Sequence, residues 1–349
     1  MLASQVSIGD LHNPQAAADL IDAFRRRFGA KTCMAPHPDH DGSIVAAHTL
    51  SVESMLRKIA VDGHVYSVAS AKSLGADKLP IDVCRRGLRE VSVFSGFCQK
   101  HDRDLFSCLE IEPFRFTRKQ CFMLAYRAAA REFYLKGKHF ESIPTPEQYR
   151  AVHGADPSPV FQETTRLLQV GSLSGLKDAT DLNDALDAHL LSEAWNRVVT
   201  HAILFTATPT VLATAAFQPF FDMNGDQLQD FEDLEGDVSN LCFSLIPLDV
   251  GGAAVFSWLD SSNAAPRHFY ESVLAQDDMT TAVMHVALDN TENLAMSPVW
   301  YEGLSADDRQ YLFSRILHIE AGPDYAARRE RGETLRTLGH WGTASNAAF

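Results

Sequence analysis

The chain has 349 residues, 46% hydrophobic and 22% charged, which supplies material for a sizeable core and excludes a disordered or fibrous chain. Its net charge of −14 hides an asymmetry: residues 1–140 carry 20 Lys and Arg against 15 Asp and Glu, the remainder 11 against 30. The basic first part permits contact with nucleic-acid phosphates, which the acidic remainder opposes. No window reaches the roughly 18 consecutive apolar residues of a membrane span, so no membrane partner is expected. The start lacks a basic segment leading into an apolar one, and six cysteines (Cys33, Cys84, Cys98, Cys108, Cys121, Cys242) are too sparse for a disulfide scaffold. The expectation is a soluble, cytoplasmic protein.

In chain order, Asn13 and Pro14 open a predicted helix that Gly29 ends. "GSIVAAHTL" (42–50) suits a strand, and "SVESMLRKIAVDG" (51–63) reads as a helix capped by Ser51. "HVYSVAS" and "REVSVFSGF" are β-branched and aromatic runs that predict two strands, and "CQKHDRDLF" then turns helical. Residues 117–137 predict a strong helix, with Thr117 and Gln120 as a capping box and Gly137 at its end. Arg118, Lys119, Arg127 and Arg131 on it read as a solvated face rather than as phosphate contacts.

Residues 141–160 hold four prolines and read as a boundary loop, followed by helical stretches near 160–171 and 181–205. From about 208, "PTVLATAAF", "SNLCFSLIPL", "AAVFSWL" and "TAVMHVAL" are strand-like, with Gly251-Gly252 turning the middle pair into a hairpin. "SPVWYEGL" and "SADDRQYLFSRILHI" predict capped helices, and the weakly patterned tail from about 322 is expected to be mobile. "DMNGDQLQDFED" (222–233) has Gln227 where a calcium loop needs glycine, so it reads as an acidic surface turn.

The chemistry concentrates upstream. Cys98 and His101 form a Cys-x-x-His pair at a strand-to-helix junction, and "TCMAPHPDHDG" offers Cys33 with His40 or His37. Two close pairs of soft or borderline ligands on separate short elements are what a structural zinc site requires. Six of the fourteen histidines fall in the first 101 residues, which strengthens the pairing. The order is knuckle, strand, then a helix whose first turn returns two ligands, as in a treble clef.

"IVAAHTL" followed by "FCQKHDRDLF" resembles the HNH nuclease group. The wider run, with Ala47-His48-Thr49, Gly63-His64-Val65-Tyr66 and the segment from Gly96 to Glu110, is similar to a set of uncharacterised bacterial proteins. The HNH resemblance implies His48 as the base that activates water against a phosphodiester. It also implies Asp102, or else His101 released from zinc, as the residue that holds a Mg²⁺ or Mn²⁺ ion polarising the phosphate. It implies DNA or RNA as partner of the basic region, in a phage-defence or mobile-element setting.

The resulting expectation is an α+β protein. Residues 1–140 form a zinc treble-clef-like region with helices, 141–207 a helical connection, 208–321 an acidic α+β region with a mostly antiparallel sheet, and 322–349 the tail. The expected function is a zinc-binding, nucleic-acid-associated protein of HNH ancestry, for which the resemblance implies metal-dependent phosphodiester hydrolysis. The alternative is a non-catalytic zinc-stabilised scaffold whose acidic C-terminal part binds a protein partner.

Overall fold

The structure is a computed structural model and describes residues 33–70, 81–230, 238–262, 264–317, 335–342 and 344–349; the predicted helix at 14–28 lies outside them. Among the described residues the fold is α+β, with two antiparallel sheets.

The smaller sheet pairs β1 (Ile44–His48) with β4 (Val93–Cys98), matching Ile44 to Cys98 at one end and His48 to Val93 at the other. Helix α1 (Gln99–Glu110) leaves directly from the end of β4. Between β1 and β4 the chain runs out to β2 (His64–Ser70) and β3 (Ile81–Gly87), which belong to the larger sheet. The predicted helix at 51–63 is not formed; only Leu56–Lys58 makes a 3-10 turn. Leu56 and Ile59, three residues apart, are both buried, a spacing that suits the three-residue turn.

Helix α2 (Arg118–Ser142) starts at the predicted capping box, Thr117 accepting from the Gln120 amide. It runs past Gly137 because Phe133 and Phe140 pack on Leu173, Leu176 and Ala179, and burial outweighs the roughly 1 kcal/mol cost of a helical glycine. The proline-rich boundary holds a short helix, α3 (Pro146–His153), with its own Thr145–Gln148 capping box and Gly154 left-handed at its end. Helix α4 (Pro159–Leu191) is one continuous element, and the expected helix at 181–205 gives way after Ser192 to strand β5 (Val198–Phe205). The run "VVTHAILF" is β-branched enough to take the strand once the helix has been capped.

Strands β6 (Val211–Phe217), β7 (Leu241–Pro247) and β8 (Gly252–Leu259) follow as expected. "TAVMHVAL" is instead helix α6 (Met279–Asn290), after α5 (Ala264–Leu274). Asp278 caps α6 by accepting from the Thr280 amide, and nearly every residue of the helix is buried. A helix apolar on all sides has the sequence texture of a buried strand. Strand β9 (Leu294–Met296) and helices α7 (Pro298–Gly303) and α8 (Ala306–Leu317) come next, the last capped by Ser305. In the expected tail, Ala344–Ala348 is strand β10, paired with β5.

The larger sheet runs β10-β5-β8-β7-β6-β9-β2-β3, every neighbouring pair antiparallel. It therefore takes strands from both the N-terminal and the C-terminal expected regions. Its two faces are both covered: Cys242 and Ile246 share a core with α2, while Leu241, Phe243 and Leu245 share one with α5 and α6. Helix α2 thus sits between the large sheet and the small β1–β4 unit, and it presents one face to each.

The Gly251-Gly252 hairpin forms between β7 and β8, with Gly251 at φ +72°. A Cβ at Gly251 would lie 2.0 Å from the Phe205 carbonyl oxygen. Gly251→Ala is therefore expected to cost about 2–4 kcal/mol, through a forced left-handed residue and a backbone collision. A urea melt of the purified variant reads this directly.

In the acidic turn, Asp222 accepts from the amides of Asn224 and Asp226, so its carboxylate closes the turn on its own backbone. All six cysteines are unbridged. Among the described residues no helix is long and apolar enough to cross a membrane.

Candidate metal centre and the adjoining polar cluster

The knuckle before β1 is fastened to the end of β4 by backbone. The Met34 amide donates to the Gly96 carbonyl at 2.8 Å, and the Gln99 amide to the Ser43 carbonyl at 2.9 Å. Gly96 is required there: a Cβ would stand 2.6 Å from the Phe94 ring and 2.8 Å from the Met34 methyl. Cys98 is the N-cap of α1 but its thiol caps nothing. Asp41 does that work from the knuckle, accepting from the Lys100 amide at 2.9 Å and from the Ser43 amide at 3.0 Å. These two amides hold the Asp41 carboxyl below its ordinary value, Ser43 contributing most.

This framework brings Cys33, His40, Cys98 and His101 together, with one ligand atom from each lying within 4.8 Å of the others. They are close enough to hold a metal ion. Among the described residues this is the one such group of Cys, His, Asp or Glu. His101 Nδ1 is 3.4 Å from both Cys33 Sγ and Cys98 Sγ. Burial pushes the Cys33 thiol up, and the Cys98 amide, donating to Cys33 Sγ at 3.2 Å, opposes it in part. Cys98 and His101 are buried, Cys33 half-buried and His40 exposed, so the centre is rooted in the core and opens on one side. Of the two knuckle histidines His40 falls within the group; His37 lies outside it, its ring centroid 5.8 Å from that of His101.

His101 uses its other nitrogen outside the group: Nε2 lies 3.1 Å from Asp39 Oδ1. A carboxylate behind a ligating imidazole fixes its tautomer and raises its basicity. Asp39 is in turn held by Lys100 at 2.7 Å, and Lys100 first, then His101, keeps its carboxyl well below the usual carboxylate range. Asp39 had not stood out in the sequence, although "HPDHDG" places it beside His40. Asp39→Asn is expected to weaken metal binding about 10–100-fold while leaving the fold intact. Competition against a chromogenic chelator measures it.

His48 and Asp102 are not part of the metal group. Further along the same unit Asp102 meets Arg127 of α2, while His48 sits at the far end of β1, opposite Val93. Asp102, Phe106 and Glu110 lie four residues apart on one face of α1 and turn that face to α2. Arg127 lies over the Phe106 ring at 4.3 Å, donates from Nη2 to Glu110 at 2.6 Å, and has the same nitrogen 3.7 Å from Asp102 Oδ1. The expected solvated face is thus corrected for Arg127, which is 1% exposed, while Arg118 and Lys119 are exposed. What buries it is the docking of the β1–β4 unit and α1 against α2.

Four atoms of this cluster are buried without a hydrogen-bond partner: His48 Nε2, Asp102 Oδ1, and Arg127 Nε and Nη1. Burial holds the His48 imidazole below its ordinary pKa; the Arg127 charge adds to this, while the Leu88 carbonyl and Glu110 oppose it. A neutral imidazole at pH 7 with a free Nε2 is able to accept a proton. Burial pushes the Asp102 carboxyl up, against the opposing charge of Arg127.

No family model matches this chain, and neither the curated proteins nor the solved structures contain a match to it.

Proposed function

We propose that this is a zinc-binding, nucleic-acid-associated protein of HNH ancestry that hydrolyses phosphodiester bonds. The observation that carries the reading is the pairing of two features on one β1–β4–α1 unit: a Cys₂His₂ group at one end of the small sheet, and at its other end a half-buried His48 whose Nε2 is unpartnered.

Zinc is the metal that suits the first centre. Bonds of about 2.3 Å to sulfur and 2.0–2.1 Å to nitrogen put tetrahedral S···N edges near 3.5 Å. The two S···N separations at His101 are 3.4 Å. Four protein ligands close the coordination sphere, so zinc would cross-link knuckle, strand and helix in the treble-clef manner and leave no site for substrate. At the second centre His48 accepts the proton of a water directed at phosphorus, and α1 and α2 wall that reaction off from bulk solvent. A Mg²⁺ or Mn²⁺ ion would supply further charge neutralisation of the phosphate, with Asp102 as its expected holder.

The test is a plasmid and RNA cleavage assay on zinc-loaded protein with Mg²⁺ or Mn²⁺, alongside His48→Ala. Cleavage by the parent and its loss in a zinc-replete variant support the reading. Stoichiometric zinc with no cleavage under either ion supports the scaffold alternative, which the closed set of four protein ligands favours.

A further inference from the structure

We infer that a recess between α4, the start of β7 and the end of β8 is a binding site for a linear aliphatic polyamine. Its lining shares no residue with the metal group or with the Arg127 cluster, so the site stands apart from the hydrolase reading.

Asp178, Asp181, Leu182 and Ala185 recur at the three- and four-residue spacing of one helix face, so α4 turns two carboxylates and an apolar strip the same way. The other side is made by Ser239 and Asn240, just before β7, and by Ser261 and Ser262, just after β8. With Leu259 they bound a recess of about 470 Å³, within the range of small-molecule sites. Asp181 is paired with Lys177 at 2.8 Å. Asp178 is partly buried, yet it has no hydrogen-bond or ion-pair partner among the described residues. Burial pushes its carboxyl up, against the charges of Lys136 and Lys177, neither of which reaches ion-pair distance. No protein contact offsets the cost of placing this carboxylate here.

An unpaired carboxylate on the wall of a recess calls for a cation. A bare metal ion does not fit. Among the described residues the one group placed to hold a metal is that of Cys33, His40, Cys98 and His101. An ion beside Asp178 would also leave the Leu182, Ala185 and Leu259 surface without a contact. A diammonium ligand uses every part of the recess. One ammonium pairs with Asp178, and the methylene chain lies on the apolar strip. The second ammonium donates to the serine hydroxyls and to Asn240 Oδ1, which is left as an acceptor because Asn240 gives its Nδ2 hydrogen to the Val238 carbonyl. The surrounding field draws such a ligand in, since residues 141–349 carry 11 Lys and Arg against 30 Asp and Glu.

Calorimetric titration of the full-length protein, freed of nucleic acid, uses spermidine, butylamine and 1,4-butanediol as probes. Spermidine is expected to bind at one site per chain, about tenfold tighter than butylamine, which lacks a second ammonium. The uncharged diol should give no saturable heat. Asp178→Asn is expected to weaken spermidine by about tenfold or more. Without ligand the same variant should raise the thermal midpoint at pH 7, because a carboxyl whose pKa is raised by folding lowers stability once it ionises. A carboxylate kept for the fold would give the opposite sign. Ala185→Leu fills the recess and keeps both carboxylates, and it should weaken spermidine likewise. Glu53→Gln removes an exposed carboxylate elsewhere and should leave the affinity within about twofold. Spermidine affinity that ignores Asp178→Asn or Ala185→Leu, an equal loss in Glu53→Gln, or a lowered midpoint for Asp178→Asn would overturn the inference.

Discussion

Cys98→Ser is expected to abolish stoichiometric zinc binding and to lower the midpoint of thermal unfolding by about 10 °C. Zinc held by four protein ligands contributes its binding free energy to the fold, about 10–16 kcal/mol in isolated zinc-finger peptides. This chain does not depend on the ion to that degree, because the β1–β4–α1 unit also packs Phe97 and Phe106 into the core shared with α2. What the ion would add is the attachment of the knuckle, which otherwise rests on a few hydrogen bonds with Gly96, Gln99 and Lys100 and on the Asp39–Lys100 ion pair. A loss of about 4 kcal/mol is consistent with a metal centre, and at 2–4 °C per kcal/mol it gives the stated shift. Cys121→Ala is the matched control: Cys121 is buried on α2 outside the metal group, and its variant should keep its zinc. The two variants are compared by elemental analysis and by melting.

His48→Ala is expected to reduce phosphodiester cleavage about 10²–10⁴-fold with zinc content unchanged, the range that removal of a general base spans. The pH dependence follows from the sign of its shift. Burial, aided by Arg127 on α2 and opposed by the Leu88 carbonyl and Glu110 on α1, lowers the pKa below 6.5. The proton-accepting neutral form therefore persists to lower pH than in a free imidazole. The cleavage rate should rise with pH through a midpoint below 6.5 and be level at pH 7. A rate that is still climbing through neutrality would show that another group serves as base.

The Cys33, His40, Cys98 and His101 group was legible because the pattern of its residue types and spacings is restrictive: Cys98 and His101 at a strand-to-helix junction, and Cys33 before a proline-flanked His pair. The sequence could not choose between His37 and His40, since both sit within the same short knuckle and the choice depends on how it folds over His101. Arg127 was read as solvated because α2 exposes Arg118 and Lys119 one turn or more before it, and nothing local shows that α1 docks there. Asp39 and Glu110 escaped notice for the same reason, since each gains its meaning from a partner far away in the chain. The strands β6, β7 and β8 were plain, whereas α6 was mistaken for a strand because burial on every side erases helical periodicity. Strand β3 (Ile81–Gly87) carries Asp82, Arg85 and Arg86 and so lacked the apolar run of a strand; it lies at an edge of the sheet, where charge is tolerated.

The central claim is that Cys33, His40, Cys98 and His101 hold one zinc ion. X-ray absorption at the zinc edge of the purified full-length chain tests it most directly. The account predicts one zinc per chain with two sulfur neighbours at about 2.3 Å and two nitrogen neighbours at about 2.0 Å. A folded protein free of zinc, or a zinc shell of oxygen and nitrogen alone, would contradict it.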